Sequence, residues 1–181
     1  MLSSILAALA LKLLTNLGDD SVAASPVSAA LAEPVVIDHD TDEGETMLGG
    51  TRTALDEQLG NADRRRLGNK VLSESRVRII RGEFPGDADA VVTVNVELRR
   101  KDPADPVRFI SGVFTLDATG TLAHVIVAPK MQAERFELAA IGDTDDDAND
   151  DLLLVVSAGN TASQRMITWA EGAPVSKALA R

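Results

Sequence analysis

Residues 90–98 have the sequence AVVTVNVEL, in which the apolar residues at 92, 94, 96 and 98 alternate with Thr93, Asn95 and Glu97. Successive side chains of a β-strand point to opposite faces, so this period of two predicts a half-buried strand. The β-branched valines favour the same conformation. The stretch decides the fold class, because the chain on both sides of it repeats its character.

Six further apolar stretches are separated by turn residues such as Asp117-Ala118-Thr119-Gly120: VRII (77–80), VRFISGVFTL (107–116), LAHVIV (122–127), FELAAI (136–141), LLLVVS (152–157) and QRMITW (164–169). Short strands joined by tight turns favour antiparallel neighbours. We therefore predict a mainly-β domain over residues 69–181, an antiparallel meander of about seven short strands with Trp169 in its core. The pattern leaves open whether the sheet packs on its own helices or pairs its edges between chains.

The chain before residue 69 has weaker patterning. Residues 25–53 are rich in Ala, Pro, Gly, Thr and acidic residues without a sustained period, which predicts an irregular acidic tether. Leu55, Leu59, Leu67 and Val71 follow at helical intervals and predict one or two short helices over 54–73, weakened by the glycines at 60 and 68. The predicted divisions are thus 1–24, 25–68 and 69–181.

Residues 2–17, LSSILAALALKLLTNL, are apolar almost throughout and precede the small-residue sequence Val22-Ala23-Ala24. An apolar run of this length before an A-x-A-like site is typical of an export leader and short for a membrane span. This interpretation places the protein outside the cell or in the cell envelope, with membrane contact only through an uncleaved leader. Lys12 and the absence of a basic residue ahead of the run favour the alternative, a buried N-terminal helix.

Composition narrows the function further. The chain of 181 residues carries 28 acidic and 18 basic side chains, a formal net charge of -10, which repels nucleic acid and attracts cations. It contains no cysteine, so disulfides, iron–sulfur clusters, thiolate zinc sites and cysteine nucleophiles are excluded. His39 and His124 supply little for zinc, and the usual hydrolase, nucleotide and metalloprotease motifs are absent. We therefore expect a protein that is not an enzyme.

The candidate metal ligands lie close together in residues 142–151, GDTDDDANDD, between two apolar strands. Six aspartates in one loop repel each other unless a cation offsets their charge, and Ca²⁺ prefers such oxygen ligands. The predicted calcium ligands are the carboxylates of Asp143, Asp145, Asp147 and Asp151, with Asn149 adding its backbone carbonyl. The EF-hand interpretation fails because Leu154 occupies the position of the bidentate glutamate.

The segment Phe136 to Trp169, with its order of apolar strand, G-D-x-D-x-D loop and apolar strand, resembles the FG-GAP/VCBS-type repeat of integrin-like β-propellers and secreted bacterial proteins. The resemblance implies calcium binding by Asp143, Asp145, Asp147 and Asp151. It also implies a structural role, binding protein or glycan at the cell surface. Ala148 replaces the family's glycine at a position that usually needs a left-handed backbone. A calcium-free interaction or stability module with a decayed loop therefore remains the alternative.

Two other acidic stretches match the ligand pattern of this loop less closely. Gly86-Asp87-Ala88-Asp89 lies 56 residues before the Gly142 loop and predicts a tight turn. Residues 38–46 place carboxylates at Asp38, Asp40 and Asp42 after the apolar run VVI, which predicts a solvated stretch or a second ion site. That stretch is also similar to the D-T-D strand end of nucleoside hydrolases, where calcium and ribose bind. A calcium-dependent enzyme of that kind is the distant alternative.

Two basic runs, Arg64-Arg65-Arg66 and Arg99-Arg100-Lys101, could form anion patches. On a chain of net charge -10 they are predicted to be solvated faces.

Overall fold

The computed structural model describes residues 31–100 and 102–179. The predicted leader or N-terminal helix, residues 1–24, lies outside these residues. Within the described part of the chain, no helix is long and apolar enough to cross a membrane.

Two four-stranded antiparallel sheets, each a meander in chain order, form the body of the protein. The first contains β1 (Val77–Phe84), β2 (Ala88–Glu97), β3 (Phe109–Asp117) and β4 (Leu122–Gln132); the second contains β5 (Glu134–Gly142), β6 (Asp151–Ala158), β7 (Thr161–Ala170) and β8 (Ala173–Ala178). The mainly-β prediction is confirmed. The described chain has eight strands rather than about seven, in two meanders rather than one, because a final strand follows the QRMITW stretch after a turn at Glu171 and Gly172.

In the part of the chain that the structure describes, two helices precede the strands: α1 (Asp42–Gln58) and α2 (Asn61–Leu67). The predicted helical leucines at 55, 59 and 67 are buried, whereas Val71 is 71% exposed. The prediction that the tether continues to residue 53 is wrong from Asp42 onward. The hydroxyl of Thr41 caps α1 by accepting from the N–H of Gly44 at 3.0 Å, and three acidic residues in the first turn match the positive end of the helix dipole.

The first sheet lies between the helices and the second sheet, so the protein has three layers. Residues at 90, 92, 94 and 96 of β2 pack in the cluster that includes Met47 and Leu55 of α1. Val91, on the opposite face, packs with Phe136 and Leu154 of the second sheet. The half-buried prediction for β2 is therefore wrong, since a second sheet covers the face that was expected to meet solvent. Even Thr93 on this face is only 2% exposed.

The second sheet provides hydrogen-bond partners for the polar side chain of Asn95 in β2. The side-chain amide of Asn95 donates to the carbonyl of Phe136 at 2.8 Å, and the N–H of Phe136 donates back to Asn95 Oδ1 at 2.9 Å. This pair of hydrogen bonds joins the two sheets directly. It explains how a polar residue is accommodated between the two layers.

Residues 31–37, here called the strap, cross the edges of both sheets. Ala32 exchanges two backbone hydrogen bonds with Ile141 of β5, at 2.8 and 3.1 Å. The strap then pairs with β1, where Ile37 N–H donates to Ile79 and Arg81 N–H donates to Val35. The strap, which is part of the predicted tether, thus covers one edge strand of each sheet.

Candidate metal centre

The aspartate-rich loop joins β5 to β6. Gly142 at the end of β5 pairs with Asp151 at the start of β6, so residues 143–150 form the connection of a β-hairpin. Apolar side chains of both strands pack between the sheets and fix the two ends of this loop.

Three predicted ligands meet in the loop. One carboxylate oxygen from each of Asp143, Asp145 and Asp147 lies within 4.8 Å of the other two. Oxygens that bind Ca²⁺ at about 2.3–2.6 Å lie at most about 5 Å from each other, so this spacing suits one ion. The triad could therefore hold a metal ion. Within the described ranges, no other group of three or more His, Cys, Asp or Glu residues has this geometry.

The backbone of the loop wraps around the carboxylate of Asp143. Its Oδ1 accepts the N–H groups of Asp145 and Asp147 at 3.3 and 3.2 Å, and its Oδ2 accepts that of Ala148 at 2.9 Å. Desolvation is the largest single influence on Asp143 and raises its pKa, but the backbone N–H donors together outweigh it and lower the pKa. Asp143 is consequently held in its charged, ligand-competent form.

Ala148 has the left-handed backbone expected at its position, with φ 65°. For a residue with a Cβ atom this conformation costs about 1–2 kcal/mol. The hydrogen bond to Asp143 keeps the strained residue in place. Ala148 thus gives the loop the backbone path that glycine would give, but its strained conformation lowers the stability of the folded protein.

Asn149 lies beside Asp147 and donates to it. Its backbone N–H and side-chain amide reach Asp147 Oδ1 at 2.8 and 3.1 Å. The side chain of Asn149 therefore orients the Asp147 carboxylate, a contact that the sequence prediction of a backbone carbonyl ligand did not include.

Asp151 is fully buried at the base of the loop. Its Oδ2 accepts hydrogen bonds from the N–H and the hydroxyl of Thr144, while its Oδ1 has no partner. Burial raises the pKa of Asp151 most; the Thr144 hydrogen bonds oppose this, and the negative charges of Asp145 and Asp147 raise it further. A buried carboxylate oxygen without a partner is costly. Asp151 is not a member of the group formed by Asp143, Asp145 and Asp147, so the structure does not bring this fourth predicted ligand to the same centre.

Sequence reasoning missed Asp150, which fastens the loop to the other sheet. Its carboxylate accepts the N–H of Glu83 in β1 at 2.8 Å, and its own N–H donates to the Glu83 carbonyl at 2.7 Å. The Asp150 carbonyl also accepts the indole N–H of Trp169 at 2.8 Å. Nothing in the run of aspartates distinguishes this residue, since its role depends on which strand lies opposite.

The other acidic stretches have structural roles. Asp38 accepts from the N–H of Asp40 at 2.9 Å and from Thr41 through its backbone carbonyl, so it shapes the entry to α1. Asp38, Asp40 and Asp42 are not brought together in the way that the loop triad is. Gly86 and Asp87, both with positive φ, form the tight turn between β1 and β2, as predicted.

The raised pKa of Asp151 predicts how metal-free stability depends on pH. Because its folded-state pKa lies above the unfolded value, Asp151 favours folding in its protonated form. Its contribution to the free energy of unfolding therefore falls as pH rises through the ordinary aspartate range to the folded-state pKa. At pH 7 in chelator, we expect Asp151→Asn to unfold at a temperature equal to or above that of the parent chain. Thermal unfolding at pH 4 and pH 7 checks this: the advantage of the variant should be smaller at pH 4. A variant that is less stable than the parent at pH 7 would contradict the expected cost of this buried charge.

Comparisons of the chain with protein-family models, curated proteins and solved structures found no match.

Proposed function

We propose that the protein is an exported, non-catalytic calcium-binding β module with a structural or protein- or glycan-binding role. The observation that carries the proposal is the triad of Asp143, Asp145 and Asp147, whose carboxylate oxygens lie within 4.8 Å of one another. A cation between these oxygens would neutralise the repulsion within the loop.

The donor set suits calcium. Asp143, Asp145, Asp147 and Asp151 offer only oxygen, as does the backbone carbonyl of Asn149, and Ca²⁺ takes six to eight oxygens in a flexible arrangement. The loop contains no histidine and the chain no cysteine, the ligands that zinc prefers. Two of the triad carboxylates are exposed, which leaves room for water to complete the coordination.

Bound calcium would stabilise the contact between the sheets. The ion would draw the loop together around Asp143, Asp145 and Asp147, and a later residue of the same loop, Asp150, is hydrogen-bonded to Glu83 of the first sheet. The free energy of ion binding would therefore add to the stability of the three-layer body rather than of one hairpin alone.

The architecture supports the resemblance to propeller repeats. Propeller blades are four-stranded antiparallel sheets, and the described chain contains two such meanders in tandem. In each, the first hairpin carries a Gly-Asp pair: Gly86-Asp87 between β1 and β2, and Gly142-Asp143 between β5 and β6. Export and a partner at the cell surface are proposed from the resemblance and from the apolar run at residues 2–17.

One observation favours the calcium-free alternative. Both oxygens of Asp143 already accept backbone N–H groups, and Asp147 accepts from Asn149, so much of the loop is satisfied without an ion. The two functions therefore differ in whether an ion joins the triad of Asp143, Asp145 and Asp147.

Thermal unfolding with and without Ca²⁺ tests the proposal. Calcium at 100 times its Kd should stabilise the fold by about 2.7 kcal/mol, and each kcal/mol raises the Tm of a chain this size by about 2–4 °C. Asp145→Ala together with Asp147→Ala should abolish this rise, because two of the three triad oxygens are removed.

A matched control removes two charges elsewhere. Asp56→Ala with Glu57→Ala deletes two exposed carboxylates of α1 and should keep the full calcium response. No rise in Tm for the parent chain, or an equal rise in both double variants, would favour the calcium-free module.

A further inference from the structure

A second candidate site lies at the end of the first sheet far from the calcium loop. It is a cleft of about 470 Å³, within the size range of small-molecule sites. Five cationic side chains line it, from α2, from the segment before β1 and from the β2–β3 connection: Arg66, Lys70, Arg99, Arg100 and Arg108. The two basic runs of the sequence, predicted to be separate solvated faces, thus each contribute to one concave surface.

The positive charge of the cleft is largely uncompensated. Arg66 bridges Asp63 at 2.7 Å, and among the described residues Asp105 is the one acidic member of the lining. In the described ranges the other four cations form no salt bridge. Lys70 and Arg100 donate to the backbone carbonyls of Glu97 and Pro103, which position them without neutralising them. Like charges that line one cleft repel each other, so an anion bound there would lower the energy of the group.

The rest of the lining is apolar. Leu98, Pro106 and Met131 form this part of the surface, and Met131 is 38% exposed although it is a large hydrophobic residue. A cleft with cationic groups around an apolar surface matches a ligand that has a charged head and an apolar body.

We propose that this cleft binds an organic phosphate monoester, a dianionic phosphate carried on an apolar body. Arginine guanidinium groups suit phosphate because their planar donors match its oxygens, and three of the cleft's arginines have no carboxylate partner among the residues that the structure describes. A long polyanion is disfavoured, because the remainder of a chain with net charge -10 would repel every phosphate beyond the cleft.

The two sites lie at opposite ends of β2. The calcium loop contacts Glu83 beside the β1–β2 turn, whereas Leu98 of the cleft follows the last residue of β2. Ten residues of strand span about 30 Å. Failure of calcium binding would therefore leave the cleft proposal intact, and the reverse also holds.

Calorimetric titration of the full chain with phenyl phosphate at pH 7.5 and low ionic strength tests the proposal. We expect saturable one-to-one binding that is tighter than for inorganic phosphate and absent for phenol. Arg99→Gln with Arg108→Gln should weaken binding at least about tenfold, since two charge-assisted donors are lost. Both residues are exposed, so the variant should retain the circular dichroism spectrum of the parent.

The control pair Arg65→Gln with Lys177→Gln removes the same number of positive charges outside the cleft. It should leave the phenyl phosphate affinity within about twofold of the parent's, because only long-range attraction is lost. Absence of saturable binding, or equal weakening in both pairs, would overturn the site. Equal affinity for inorganic phosphate and phenyl phosphate would overturn the claim that an apolar body contributes to binding. Vesicles distinguish two sources of the ligand: retention on phosphatidic acid but not phosphatidylcholine assigns a lipid headgroup, and retention on neither assigns a free metabolite.

Discussion

Replacing Gly50 by alanine is expected to destabilise the protein by about 3 kcal/mol or more, although alanine is the better helix former. Gly50 lies in α1 where the helix crosses the β3–β4 turn, and a Cβ atom there would overlap the carbonyl oxygen of Gly120. The atoms of Gly120 that the Cβ would meet all belong to the backbone, so no side chain can rotate away. The helix would have to lift from the sheet and expose the cluster around Met47 and Leu55.

The neighbouring glycine is the matched control. A Cβ atom on Gly49 would meet nothing within 4 Å. Gly49→Ala should therefore stabilise the protein by up to about 1 kcal/mol, the difference in helix propensity. Urea unfolding of the two variants checks both signs. Equal effects would show that α1 does not pack closely on the turn.

Truncating Phe136 to alanine is expected to cost about 3–5 kcal/mol, a large part of the stability of an ordinary domain. Phe136 is 1% exposed and packs in the cluster shared by the two sheets. Its backbone also makes both hydrogen bonds with Asn95, so collapse of the cavity would move atoms that join the layers.

Because this cluster is shared, we expect both sheets to unfold in one transition. Trp169, the chain's one tryptophan, belongs to the same cluster and reports on it by fluorescence, while far-ultraviolet circular dichroism reports on all strands. The two probes should give coincident midpoints, lowered equally by Phe136→Ala. Val71→Ala, which trims a 71% exposed side chain, should change stability by less than about 0.5 kcal/mol. Separate midpoints for the two probes would show that the sheets unfold independently.

The strands and the loop were within reach of sequence reasoning because their signals are local. Alternation or β-branched runs mark a strand whatever it packs against, and the spacing of Asp143, Asp145 and Asp147 alone brings their carboxylates to one centre. The buried position of Trp169 followed from the same strand pattern.

The missed features depend on partners distant in sequence. The second face of β2 contains Thr93 and Asn95, and only a covering sheet makes such a face buried. Helix α1 contains Gly49 and Gly50, which lower helix propensity, yet Gly50 is suited to a close approach to Gly120. Asp150 binds a strand that lies 67 residues earlier in the chain. Local pattern carries no information about any of these pairings.

The strap also dictates an order of events during synthesis. Its contact with β1, Val36 with Ile80, joins residues close enough in sequence to form once the first sheet has been made, so the edge of β1 can be protected early. Its contact with β5, Ala32 with Ile141, joins residues more than a hundred positions apart and cannot form until β5 has emerged from the ribosome. A nascent chain paused before residue 141 would therefore have its first sheet covered while Ala32 still lacked its partner strand. Contacts of such long range also slow folding, which makes docking of Ala32 on β5 a late step.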